Sequence, residues 1–145
     1  MRNNVNTFIV ILFLFIGNYA SYSQIKSPYY VQGEVSIFSD AGDFKYAGIN
    51  ITFYNNAERN IRKITFVLFL SGIDDSSTFS GDNRIISEYS KSIDSRSTAE
   101  FCISLDDYIA AIPDTPYQID CLYADRIEYD DGSIWEDPYG IYAVQ

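Results

Sequence analysis

The chain has 145 residues, a formal net charge of −10, 20 acidic against 10 basic side chains, and no histidine. Such an acid excess argues against nucleic-acid binding, which needs clustered Lys and Arg on phosphate. Without histidine there is no Ser-His-Asp triad, no Cys-His pair and no His-ligated zinc, and the length sets one domain.

Residues 1–23 read as a secretory signal peptide. Arg2 supplies the basic start, residues 8–16 are nine unbroken apolar side chains, and small residues follow at Ala20, Ser21 and Ser23. An apolar run that short fits a signal-peptide core and not a bilayer span. Cleavage after Ser23 is expected, with cleavage after Ala20 or an uncleaved anchor as alternatives. The expected mature domain is 24–145, exported to the periplasm, cell surface or medium, with no stable membrane span of its own. Its acidity is uneven: residues 101–145 carry ten acids against the single base Arg126, a net −9.

After residue 23 the hydrophobic period is two nearly throughout, which predicts strands. Residues 31–38 form the first, with Val31, Val35 and Ile37 on one side. Ile49, Ile51 and Phe53 alternate with polar neighbours in the second, which ends at the turn signal Asn55-Asn56. Residues 61–70 are apolar on both parities in their second half, as in a central strand covered on both faces. Residues 71–83 are Ser-, Asp- and Gly-rich and read as a long loop. Residues 85–90 suit a short edge strand, and in 98–105 Ala99, Phe101, Ile103 and Leu105 share a face. Residues 106–112 are the one helix-like piece, with two Asp at its start and Pro113 beyond its end. Residues 117–129 and 134–135 flank the turn 130–133, where Asp-Gly is a hairpin signal because Gly accepts the positive φ the turn needs. The tail from 138 adds an edge extension or wraps the body.

About seven strands with one short helix between the fifth and sixth predict an all-β fold, an immunoglobulin-like antiparallel β-sandwich, with a small barrel as runner-up. Residues 51–70 (ITFYNNAERNIRKITFVLFL) and 126–135 (RIEYDDGSIW) carry a resemblance to small bacterial extracellular immunoglobulin-like modules of the FxLYD type and related domains. Phe69 and Leu70 stand where that family's motif has Tyr and Asp. The resemblance implies a sandwich in an exported setting and no reaction.

Cys102 and Cys121 are the only cysteines, and export permits oxidation. Their bridge would close over 18 residues, worth about 3 kcal/mol in the chain-entropy model. Strand parity opposes it: Cys102 alternates with the core residues Phe101 and Ile103, while Cys121 shares its parity with Ile119 and Tyr123, which look inward. A bulge near either residue would reverse this. A buried, inert thiol pair is the favoured reading, with the bridge as the alternative.

The hairpin acids Asp125, Glu128, Asp130, Asp131, Glu136 and Asp137 are hard oxygen donors of the kind calcium takes, with Asp130 and Asp131 the metal candidates. EF-hand spacing is absent, and a solvated loop and charged edge that blocks strand pairing is the favoured reading of the charge. Eleven of the 13 Tyr follow residue 23. Tyr29, Tyr30, Tyr139 and Tyr142, near the chain ends, fall outside the alternating core, whereas Trp135 is expected to pack under the last hairpin. The expectation is an exported, non-enzymatic module without a cofactor. It would bind a basic envelope protein or a glycan through Tyr139, Tyr142, Asp130, Asp131, Glu136 and Asp137. The alternative is a calcium-stabilised structural or adhesive module.

Overall fold

Alternating β-branched and aromatic residues leave these segments one economical conformation, with one side chain set toward a core and the other toward water. The computed structural model describes residues 26–37, 42–73 and 79–144, and the expected signal peptide lies outside them. Seven strands follow in order: β1 (Tyr29–Ser36), β2 (Gly48–Asn55), β3 (Ile61–Ser71), β4 (Arg84–Tyr89), β5 (Thr98–Ser104), β6 (Gln118–Tyr129) and β7 (Ile134–Glu136). They form two antiparallel sheets, one of three strands ordered β1-β2-β5 and one of four ordered β4-β3-β6-β7. The sheets form a β-sandwich rather than one closed barrel.

The inner faces meet in a single core. Val31, Ile49, Ile51 and Phe53 from the first sheet pack with Phe66, Leu68, Leu70, Leu122, Ala124 and Ile127 from the second. Burial of a side chain the size of Phe53 stabilises by roughly 1.5–3 kcal/mol. The third strand is central, as expected, and buried on both sides: Val67 is inaccessible on the outer face, where it pairs with Tyr123. At Gly33 the sheets come close together. A Cβ there would lie 2.9 Å from methyl groups of both Ile119 and Leu122, so only glycine lets β1 approach β6 this closely.

Asn55 and Asn56 do more than end β2. Both are buried, and they pin two loops. The Asn55 amide donates to the carbonyls of Arg59 (2.8 Å) and Asp94 (3.0 Å), and its oxygen accepts the Ala57 N–H (3.1 Å). Asn56 donates to the Ser27 carbonyl and accepts from Arg96, both at 2.7 Å. The expected β6–β7 hairpin is present. The Gly132 N–H returns to the Tyr129 carbonyl at 3.0 Å, and Gly132 has φ +82°, the left-handed residue of a three-residue hairpin.

The short helix over 106–112 does not form, and the described residues contain no helix. Only one turn closes, where the Leu105 carbonyl accepts the N–H groups of Tyr108 (2.8 Å) and Ile109 (3.1 Å). The chain is then diverted outward: Ile109 bridges Phe79, and the Tyr108 carbonyl accepts the Ser80 N–H. The Asp106 carboxylate, read as a helix cap, instead accepts the backbone N–H groups of Lys45 (2.7 Å) and Tyr46 (2.9 Å).

Candidate functional site

The sequence-predicted acids do not converge. Asp130 is exposed at the hairpin tip, its N–H donating to the Asn60 carbonyl. The Asp131 carboxylate accepts the Ser133 N–H (2.8 Å) and hydroxyl, with Arg59 alongside. The Ser133 hydroxyl, its N–H and Arg59 together hold the Asp131 carboxyl below its usual range. Glu136 pairs with Arg126 (2.7 Å), which also meets Glu128 (3.2 Å), and Arg62 reaches Glu128 at 2.7 Å. The Arg62 hydrogen bond is the main reason the Glu128 carboxyl is lowered. No three His, Cys, Asp or Glu among the described residues stand close enough to hold a metal ion, so the calcium candidates Asp130 and Asp131 are not brought together with further ligands.

Asp137 is a structural residue. It is only 3% exposed, and its two oxygens accept the N–H groups of Ile141 (2.9 Å) and Tyr142 (3.0 Å). This carboxylate folds the tail back on itself. The tail then runs along β6: Asp137 N–H donates to the Asp125 carbonyl, and Val144 exchanges both backbone bonds with Leu122 at 3.0 Å. Of the two tail tyrosines, Tyr139 is 87% exposed, while Tyr142 packs on Trp135 with ring centroids 5.7 Å apart.

The cysteines stay unbridged, and the bulge that does occur beside Cys121 does not bring them together. Ile119 pairs with Leu70 and Cys121 with Phe69, so Asp120 is an extra residue between them. Ile119 therefore packs against the core while Cys121 turns to the outer side with Tyr123, correcting its expected inward direction. Cys102, opposite Asn50, faces out from the other sheet. The two thiols point away from each other on opposite layers, and burial pushes both upward, away from the reactive thiolate.

A concavity lies elsewhere, along β1. A groove of about 1060 Å³ is lined by Tyr30, Gln32 and Glu34 of β1, by Tyr54 of β2, and by Tyr142 and Val144 of the tail, with Ile119 and Leu122 below. Of the four chain-end tyrosines, Tyr30 and Tyr142 thus share one surface, and Tyr139 does not line it. Tyr30 stacks on Tyr54 at 6.1 Å. Tyr29 lines the groove but, contrary to expectation, is a core residue. Its ring stacks on Phe53 (5.4 Å) and meets Trp135 edge-on (5.7 Å), confirming that Trp135 packs inward. The Tyr29 hydroxyl accepts the Ala124 N–H at 2.9 Å, and burial drives its acidity far below that of a free tyrosine.

Sequence reasoning missed Gln32 and Glu34 because nothing in a strand's own residues says that it lies at a sheet edge, and Tyr54 because its stacking on Tyr30 depends on the pairing of β1 with β2. No family model, no curated protein and no solved structure matches the chain.

Proposed function

We propose that the chain is an exported, non-enzymatic, immunoglobulin-like β-sandwich that binds a basic protein at the cell envelope. The observation that carries this is the groove beside β1, which brings Tyr30, Tyr54 and Tyr142 together with Val144 and Ile119 among polar side chains such as Gln32, Asn50 and Thr52. Rigid, amphipathic tyrosines supply contact area at low entropic cost. The net charge of −10 favours a basic partner and speeds its encounter.

The order β1-β2-β5 opposite β4-β3-β6-β7 supports the immunoglobulin-like assignment, with β1, β2 and β5 in the places of strands A, B and E. Residues 1–23 support export.

The test is capture from an envelope extract on immobilised 24–145. Tyr30→Ala and Tyr142→Ala should lower capture, Tyr139→Ala should leave it unchanged, and raising the salt should weaken it. Retention by both groove variants, with melting unchanged, would remove the groove from the account.

A further inference from the structure

We infer that the groove accepts an extended segment of the partner as a fourth strand added to β1. This rests on the binding role proposed above and names the form in which the partner binds. The backbone of β1 carries the argument. The Pro28 carbonyl accepts the Asn56 N–H at 2.8 Å, which fixes the hydrogen-bonded positions of the β1–β2 ladder. Antiparallel pairs alternate, so Tyr30, Gln32 and Glu34 turn their N–H and C=O groups to β2. Those of Val31, Gly33 and Val35 face the open edge. The slot before them is closed by the chain itself, since the Ser27 hydroxyl donates to the Tyr29 carbonyl at 2.7 Å. Three donors and three acceptors in a row, roughly 14 Å from Val31 to Val35, thus point away from β2; those of Gly33 and Val35 are partly exposed, while Val31, at 3% exposure, has to be uncovered by the incoming strand.

The facing sheet treats its equivalent edge differently. On the tail side of β6, Leu122 is paired with Val144, the Ala124 N–H with the Tyr29 hydroxyl, and the Asp125 carbonyl with Asp137. The second sheet is closed on the side where the first is open. The other outer strands carry more charge: Arg84 and Glu88 lie on β4, with Lys91 just past its end, and β5 carries Glu100 beside the same cluster. Such charges guard an edge against strand addition. The first strand has only Glu34, no Lys, no internal Pro and an unbroken register.

The same geometry defines the occupant. An added strand alternates its side chains. One set meets Ile119, Leu122 and Val144 and must be apolar. The other lies beside Tyr30, Gln32 and Glu34 on the outer face, where Lys or Arg finds the Glu34 carboxylate and the wider negative field. The occupant is therefore a peptide segment of alternating apolar and basic or polar residues.

The probe is an acetylated, amidated eight-residue peptide alternating valine with lysine and threonine, titrated into 24–145. Binding should slow amide exchange at Val31, Gly33 and Val35 and leave Gln32 and Glu34, already bonded to β2, unchanged. N-methylation of the peptide on one parity should weaken binding at least tenfold. On the other parity it should change binding less than twofold, because only alternate amides reach β1. Equal effects on both parities, or no slowing at the three residues, would overturn strand addition. So would a dimer of the chain alone with those amides already protected, or a polysaccharide that binds without slowing them. If the peptide fails to bind while Tyr30- and Tyr142-dependent capture persists, strand addition falls and the broader binding role stands.

Discussion

Asp137→Ala tests whether one buried carboxylate builds the tail wall of the groove. In the native chain its oxygens accept two backbone N–H groups, from Ile141 and Tyr142, at 2.9 and 3.0 Å. Hydrogen bonds to a charged acceptor contribute about 1.5–3 kcal/mol each. Ile141 is well exposed, so its freed N–H can turn to water and recover part of the loss. The expected destabilisation is therefore about 2–4 kcal/mol. Asp137→Asn keeps an amide oxygen as acceptor and should lose about half as much. Urea unfolding at equilibrium measures the difference, and amide exchange locates it. Ile141 and Tyr142 should exchange faster in Asp137→Ala, and Leu122 should follow as its pairing with Val144 loosens. A loss below about 0.5 kcal/mol with unchanged exchange at these residues would refute the role given to Asp137.

Asn55→Ala removes three backbone hydrogen bonds from a fully buried position and should cost about 2–4 kcal/mol by urea unfolding; a cost near zero would mean that the loops over 57–60 and 93–97 hold themselves. The pH dependence has a definite sign. Asp106, Glu128 and Asp131 are held below the usual carboxyl range. In Asp106 desolvation pulls the other way but is outweighed by the Lys45 and Tyr46 N–H donors; in Glu128 the Arg62 bond leads, and in Asp131 the Ser133 hydroxyl. Folded carboxyls more acidic than unfolded ones give stability that is present above the unfolded value and lost as pH falls through the folded one. The melting temperature should hold between about pH 7 and 5 and decline below about pH 4. A melting temperature that rises over that acidic range would contradict the pairings.

How much could be read from the chain differs between fold and site, for a physical reason. Side-chain alternation is a local property, so all seven strands were legible in the residues, as was the hairpin closing on Gly132. The helix expected at 106–112 was a local inference defeated by a distant partner: Asp106 had better donors in Lys45 and Tyr46, some sixty residues away. The Cys121 direction turned on one extra residue, Asp120, which shows only when β6 is laid against β3.

The acidic surface divides along the same line. Composition alone placed most of the charge in the last third. Tertiary structure decided that these carboxylates serve separate partners: Asp137 the tail, Asp131 a turn, Glu128 and Glu136 the arginines. It also formed the groove beside β1, away from most of those carboxylates. Sheet order, edge position and the direction in which Val31, Gly33 and Val35 point their amides follow from strand pairing, and pairing joins residues that the sequence keeps far apart.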